Sequence, residues 1–429
     1  MRHRYSLLVR SLSYSELIRG NRDFRNLLAG QFISELGNWF NFIAALGLVR
    51  LVSDASPLAA GLFFVARLIP FAIMSPIAGT FVDRFSRRKV MIVTDVLRTV
   101  IALAFLLVKD PGDLWIAYLA TVLLHTLGAF FDGAKNAAAP NLTGREGLLA
   151  GTALLFSTKF LLMAIGSALG GWASAALGYQ IAFIINAASF LISAYTVWLI
   201  PEDAVKEAEE GEVREKRSFI SDLKEGLVYS VRNHFALTIL IMNMIWATGG
   251  GAINVVYERL GGVYFAETEG WNPDAAVAIL WTASGIGITL GMMIAHRTSI
   301  YLDSTGKHRS FIGWTLIAHG IVFAVGGLVP TLWLFTLFNF VSRAVVGVEY
   351  AVQETMFQRS LPDKIRGRIS TLDRGAEMTV FGIMAYASSE LMYYITPQTL
   401  TIASGILSAF AGVVWFIRER PGRREEAAV

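Results

Sequence analysis

The chain has 429 residues, of which 54% are hydrophobic and only 16% are charged. Soluble domains carry about a quarter charged residues, so the composition excludes an ordinary soluble protein and requires lipid as the solvent for much of the surface. There is no cysteine, which excludes disulfides and thiolate metal sites. The net charge of +4 comes from basic turns between apolar runs and is no sign of nucleic-acid binding.

Twelve apolar runs are long enough to cross a bilayer, since a helix needs about 20 residues to do so. They cover residues 26–49, 57–81, 90–108, 114–131, 148–176 and 179–200, then 235–256, 275–295, 310–329, 331–357, 369–395 and 399–417. We predict an all-α integral membrane protein with twelve transmembrane helices in two pseudo-symmetric six-helix bundles. The predicted parts are an N-terminal segment (1–25), an N-terminal bundle (26–200), a charged linker (201–234), a C-terminal bundle (235–418) and a tail (419–429). The first segment fits either an amphipathic helix on the membrane surface or a solvated basic tail.

The basic residues predict the orientation of the chain. Only Arg50, Lys109 and Arg259 fall in the odd-numbered loops, whereas the tails, the linker and the even-numbered turns are rich in Lys and Arg. Such residues mark the cytoplasmic side, so both termini and the linker are expected there. The halves also echo each other: Asp132 precedes Pro140 by eight residues, as Glu354 precedes Pro362. A repeat of this kind is typical of secondary transporters with two halves.

The turn GTFVDRFSRRKV (79–90) lies between the second and third predicted spans. It resembles the signature of the major facilitator superfamily, in which Gly is followed after three residues by Asp-Arg and then by two basic residues. The matching residues are Gly79, Asp83, Arg84, Arg87 and Arg88, and Ser86 replaces the usual second Gly. The resemblance implies that these five residues form a conformational latch between the halves. A plain basic cytoplasmic loop is the alternative.

Four further segments resemble bacterial macrolide-efflux and enterobactin-efflux exporters: GQFISELGNWF, DVLR, INAASFLISA and SLPDKIRGRIS. The chain departs from that subgroup at Asn38, where Asp is usual, and at Ser167, where Pro is usual. The resemblance implies a monomeric secondary active transporter of the inner membrane. It would export amphipathic small molecules of the drug or siderophore type by alternating access, with protons as the coupling ion, lipids around it and no cofactor.

By the same resemblance, spans 1, 4, 7 and 10 line a central cavity, and each carries polar residues with aromatic neighbours on one face. The predicted substrate-binding residues are Glu35, Asn38, Trp39, His125, Asn243, Trp246, Asn254, Asn339, Arg343 and Tyr350. Charges inside a bilayer cost roughly 3 kcal/mol each, which makes embedded acids candidates for proton coupling. These are Glu35, Asp132, Glu349, Glu354 and Glu377.

Several roles stay open from the sequence. Glu35 and Arg343 could form an ion pair across the halves, or serve as a proton site and its charge partner. Asp132 and Glu354 fit either gating or structural ion pairs. Asp95 and Arg98, three apart on one helix, are expected to pair or to brace the basic turn.

The triple glycine 249–251 favours a break or bend in span 7. A long loop follows, which fits either a mobile gate or an interfacial anchor. The sequence has no Walker loop and no hydrolase or metalloprotease motif, so we expect a transporter without enzymatic activity or a metal, energised by a gradient. A lipid or lysolipid flippase of the same fold is an alternative, and a non-transporting membrane sensor is another.

Overall fold

The computed structural model describes residues 12–82, 84–205 and 219–419, which form helices and turns without any strand. Twelve long helices, α1 to α12, dominate this part of the chain. In order they are Arg22–Val52, Pro57–Val82, Arg87–Leu103, Pro111–Gly144, Glu146–Leu177, Tyr179–Trp198, His234–Arg259, Pro273–Thr305, His308–Gly326, Leu332–Ser360, Asp363–Leu391 and Pro397–Arg418. The predicted all-helical membrane fold is confirmed.

Polar residues at the first turns explain where many of the long helices begin. The caps of α1, α7, α8, α10 and α12 are Asn21, Asn233, Asn272, Thr331 and Thr396. Each side-chain oxygen accepts a hydrogen bond from a backbone N–H two or three residues further on, which satisfies a donor that the helix itself leaves unpaired. Long apolar runs follow each cap, so local sequence and membrane burial favour the same boundaries.

Eleven of these helices are long and apolar enough to cross a membrane by length and composition. The other, α11, has the required length but carries Asp373, Arg374 and Glu377 in mid-helix. The two acids are buried, so protein rather than lipid surrounds this polar stretch. An ionisable group inside a membrane protein is tolerated when it faces the bundle interior.

The helices pack as two equivalent sets of six. In the first set α1 packs on α5 and α6, α2 on α4, and α3 on α6; in the second α7 packs on α11 and α12, α8 on α10, and α9 on α12. Each helix therefore has the neighbours of the helix six positions later. The two sets meet along two related seams, α2 with α11 and α5 with α8.

Two short helices lie beside the bundle, and one glycine separates α4 from α5. Gly144 has φ 63° and ψ 178°, a conformation that is essentially confined to glycine. The helix Tyr14–Gly20 precedes α1, and its Leu17 is buried. The helix Phe219–Arg232 lies within the predicted linker and is joined to α11 by an ion pair between Glu225 and Arg368, 2.6 Å.

The helix does not break at residues 249–251, because α7 continues as an α-helix through them. A Cβ on Gly251 would lie 2.6 Å from the carbonyl oxygen of Phe381, and one on Gly249 would lie 2.4 Å from that of Ser404. These glycines instead allow α11 and α12 to approach closely. The segment after α7 is also helical rather than a loop, with a π-helical turn at Leu260–Tyr264 and a helix at Phe265–Glu269.

The buried apolar residues show that the two halves are joined at one end only. One core cluster contains Trp39 and Phe63 of the first half together with Val256 and Phe335 of the second. At the other end each half has a core of its own. We call the joined end the closed end and the other, where α1 begins and α12 ends, the terminal end.

Candidate functional site

A buried ion cluster links the two halves at the closed end. Arg50, near the end of α1, donates from Nη1 to Glu258 Oε2 of α7 at 3.0 Å and from Nη2 to Asp274 Oδ1 of α8. Arg50 is 8% exposed, Glu258 1% and Asp274 6%. Two acids of one half thus hold one guanidinium of the other in a buried site. Charge-assisted hydrogen bonds of this kind are strong and directional.

An aromatic cluster continues this contact towards the middle of the bundle. The ring of Trp281 on α8 lies 5.7 Å from Trp39 and 5.2 Å from Phe42 of α1, and 5.1 Å from Tyr257 of α7. The Arg67 guanidinium of α2 lies over the Phe42 ring at 4.1 Å, within the range of a cation–π interaction. The cluster closes the space between the halves with large apolar surfaces.

Small residues bring the backbones of the two halves together along both seams. A Cβ on Gly171 of α5 would lie 2.1 Å from the Cβ of Ala278 on α8. A Cβ on Gly61 of α2 would lie 2.1 Å from Ser389 Oγ on α11. Such close helix contacts are typical of membrane bundles, and both lie in the closed-end half of their helices.

On the terminal-end side of this aromatic cluster, the first half carries a chain of polar contacts on α1 and α3. Asn38 donates from Nδ2 to Glu35 Oε2 at 3.2 Å and accepts at Oδ1 from Arg98 Nη2 at 3.1 Å. Arg98 also binds Asp95 Oδ1 at 3.1 Å, so the predicted pair is confirmed. An amide can donate on one side and accept on the other, whereas an aspartate at position 38 could only accept. The Asn38 departure therefore fits its two neighbours.

Several cations surround the predicted cavity residues of this half. Arg67 lies within electrostatic range of Glu35. His125 on α4 lies within range of Arg67, Arg98 and Lys159. Asp132 forms an ion pair with Lys135 Nζ at 2.6 Å, which matches the structural alternative for that acid. The acids of the first half thus lie beside bases.

The second half brings other predicted residues together on α7, α10 and α11. Asn243 donates from Nδ2 to Asp373 Oδ2 at 2.9 Å and accepts from Gln353 Nε2 at 2.9 Å. Arg374 donates to the hydroxyl of Tyr350. Two further predicted residues, Glu354 and Glu377, lie within electrostatic range of Arg374 and Asp373.

Four other predicted residues have surroundings within the second half. Asn339 is fully buried within the second half, where it bonds to Tyr257 and to the carbonyl oxygen of Leu280. Arg343 lies over the Phe323 ring of α9 at 5.2 Å.

The remaining two are Asn254 and Glu349. Asn254 donates to carbonyl oxygens of its own helix, those of Gly250 and Gly251. Glu349 is buried, and its Oε1 has no partner in the described part of the chain.

The ion pair considered between Glu35 and Arg343 is wrong in this conformation. Glu35 bonds to Asn38, whereas Arg343 lies against Phe323 inside the second half. Trp246 likewise packs against second-half residues, with its ring 5.6 Å from Phe381 and 6.5 Å from His319. Helical spacing assigned each of these residues to a face of its own helix but did not reveal which helix that face meets.

The basic turn braces the first half in this conformation. Arg87 donates from Nη1 to the carbonyl oxygens of Ala137 and Val205, and Arg88 donates to that of Trp198.

Two of the other latch residues have open surroundings. Arg84 is exposed, and a Cβ on Gly79 would meet nothing within 4 Å. Asp83 lies outside the described residues. The latch role of these residues stays a prediction.

The sequence did not predict the buried ion cluster around Arg50 or the aromatic cluster around Trp281. Arg50 was assigned to a loop, and no role was predicted for Glu258, Asp274 or Trp281. One signal was available: Arg50 and Arg259 are rare bases on that side of the chain, and acids at 258 and 274 follow in the second half.

Two equivalent six-helix sets, joined at one end and separate at the other around buried charges, define a multi-pass membrane transporter of the two-bundle class. The sequence profile of the Major Facilitator Superfamily matches residues 27–312. The chain belongs to this superfamily, as the turn at residues 79–90 predicted.

Similar proteins extend over nearly the whole chain. One is the "Uncharacterized MFS-type transporter YfiS" of Bacillus subtilis, 25% identical over 94% of this chain and 95% of that protein. Another is the "Multidrug efflux pump Tap" of Mycolicibacterium fortuitum, 25% identical over 87% of this chain and 88% of that one. Among solved structures, a mutant of the nucleoside transporter NupG superposes with a TM-score of 0.74 over 93% of this chain and all of that one, at 14% identity. The last likeness concerns the fold alone.

Proposed function

We propose that the protein is a secondary active exporter of medium-sized amphipathic compounds, resident in the inner membrane with both termini in the cytoplasm. The observation that carries this proposal is the joining of the two halves at one end only. A polar interior that is sealed on one side and divided on the other is the arrangement that alternating access requires. The likeness to a multidrug efflux pump supports export of small molecules.

In the proposed cycle the present conformation opens to the cytoplasm, and the closed end faces outward. Substrate enters between the halves from the terminal end, and the halves then rock about the α2–α11 and α5–α8 seams. The buried ion cluster around Arg50 and the aromatic cluster around Trp281 must separate before the substrate is released. Embedded acids, with Glu35 first among them, take up and release the protons that drive the cycle.

The test is efflux of ethidium from proteoliposomes under an imposed pH gradient. We expect flux that depends on the gradient, and we expect Glu35→Gln to flatten its response to pH. Glu390→Gln, which removes another acid on a membrane-spanning helix, is the control and should retain the response. Flux that ignores the gradient, with the same pH response in Glu35→Gln, would remove proton coupling through Glu35.

A further inference from the structure

A cavity of about 230 Å³ lies between the two halves, on the terminal-end side of the α2–α11 seam. One wall is formed by α2, through Phe71, Ser75 and Pro76. The facing wall includes Glu354 of α10 and the α11 residue Asp373. The cavity thus combines an apolar wall from the first half with carboxylates from the second, a combination that suits an amphipathic organic molecule.

The Asp373 carboxylate in this wall is only partly satisfied. The residue is 7% exposed. Its Oδ2 accepts from Asn243, whereas its Oδ1 has no hydrogen-bond partner in the described part of the chain. Gln353 donates to the amide oxygen of Asn243, which fixes the Asn243 amide with its NH₂ group towards Asp373. Asn243 is neutral, so it orients this carboxylate without balancing its charge.

The charges around Asp373 leave an excess of negative charge beside the cavity. Glu354 and Glu377 lie within electrostatic range of Asp373. The cation within range of Asp373 is Arg374, which also lines the cavity and is held by the Tyr350 hydroxyl. On the opposite wall, Lys159 Nζ lies 6.0 Å from the Phe71 ring. Three carboxylates therefore surround one guanidinium.

The first half differs in this respect. There Asp95 pairs with Arg98, and Asp132 pairs with Lys135. Each of these acids has its own base, so their charges are balanced within the protein. The imbalance around Asp373 is thus not shared by these two acids of the first half.

A buried carboxylate without a counter-charge is costly, and a cation placed beside it offsets that cost. We infer that this cavity binds the cationic group of an amphipathic substrate between Glu354 and Asp373, with Phe71 and Met378 contacting the apolar part of the molecule. The inference rests on the proposed function, because it assigns the substrate class of the exporter. Positive charge on the compound, rather than size alone, then decides which molecules enter the cycle.

The experiment measures equilibrium binding to the purified full chain in detergent, with no gradient. The probe is radiolabelled tetraphenylphosphonium, a permanent lipophilic cation, and triphenylphosphine oxide is its neutral counterpart. We expect saturable binding of the cation, at least tenfold weaker competition by the neutral compound, and at least fivefold weaker binding in Asp373→Asn and in Glu354→Gln. Asp303→Asn, an acid at the same end of the second half but outside this cavity, should bind within twofold of the native protein.

A second pair of variants tests the site from the opposite wall, in case the acidic residues are needed for folding. Ser75 is an exposed residue of α2 that lines the cavity. Ser75→Arg should weaken cation binding at least tenfold through repulsion, and the uncharged Ser75→Gln should weaken it less. No saturable binding of the cation to folded native protein, or unchanged binding in both Asp373→Asn and Ser75→Arg, would overturn the inference. Failure of gradient-driven efflux with intact cation binding would instead contradict the proposed function alone.

Discussion

Replacing Arg50 by Gln should release the closed end of the transporter. In the native protein this guanidinium is buried between Glu258 and Asp274 of the other half. The variant leaves the two buried carboxylates facing each other without the guanidinium that binds both. When the halves separate at this end, the same carboxylates become hydrated, so the penalty falls on the closed conformation only.

The size of the effect follows from burial. Removing one partner from a buried ion pair costs about 3–5 kcal/mol. Each 1.4 kcal/mol corresponds to about a tenfold change in an equilibrium constant, so even the lower figure shifts the balance by about a hundredfold. The conformation in which the halves have separated at the closed end should therefore change from a minor state to a well-populated one.

Accessibility labelling of a single cysteine measures this shift. The chain contains no cysteine, so Ser389→Cys provides one reporter without further changes. Ser389 is fully buried on α11, where it faces Gly61 of the other half. We expect a membrane-impermeant maleimide to label this cysteine at least tenfold faster when Arg50 is replaced by Gln.

The control removes the whole cluster at once, by adding Glu258→Gln and Asp274→Asn to Arg50→Gln. A neutral cluster carries no unbalanced charge, and replacing a complete buried ion pair can be nearly neutral. Labelling should return towards the native rate. Equal labelling in the native protein and the single variant would refute the idea that this cluster holds the halves together.

Two further predictions concern the terminal end and the first-half interior. Gly79→Leu should change stability by no more than about 0.5 kcal/mol, since open space surrounds Gly79, but it should slow efflux at least fivefold if the terminal end closes on α2 during the cycle. Gly112→Leu, equally unobstructed at the closed end, is the control, and full efflux in Gly79→Leu would contradict the closure. Arg98→Met should lower stability by about 3–5 kcal/mol, because Asp95 then stays buried without its cation. Adding Asp95→Asn to Arg98→Met should restore the thermal unfolding temperature towards the native value. Equal stability of the Arg98→Met variant and this double variant would exclude the loss of the ion pair as the cause.

Much of the architecture could be predicted because it depends on short-range patterns. Span lengths follow from the thickness of the bilayer, and helix starts follow from caps such as Asn272 and Thr396. The pairing of Asp95 with Arg98 is a contact within one helix, three residues apart. Each of these features is decided by residues within a few positions of one another.

The contacts between the halves could not be predicted from such short-range patterns. Arg50 and Glu258 are 208 positions apart in the chain, and nothing local pairs them. Residues on one polar face of α10 also contact different helices. Tyr350 accepts a hydrogen bond from Arg374 of α11, whereas Asn339 bonds to Tyr257 of α7. Periodicity defines a face of a helix, but the neighbouring helix determines what that face does.

The shared core at the closed end has a consequence for biogenesis. Trp39, Phe42 and Phe63 belong to the first half, which leaves the ribosome before α7 and α8 exist. Until Trp281 is synthesised, Trp39 and Phe42 lack the ring that packs against both in the finished protein. The terminal-end core of the first half, in contrast, contains only residues that precede position 206. The terminal end of the first half can thus pack during translation. Its closed end can pack fully only after the second half has been synthesised.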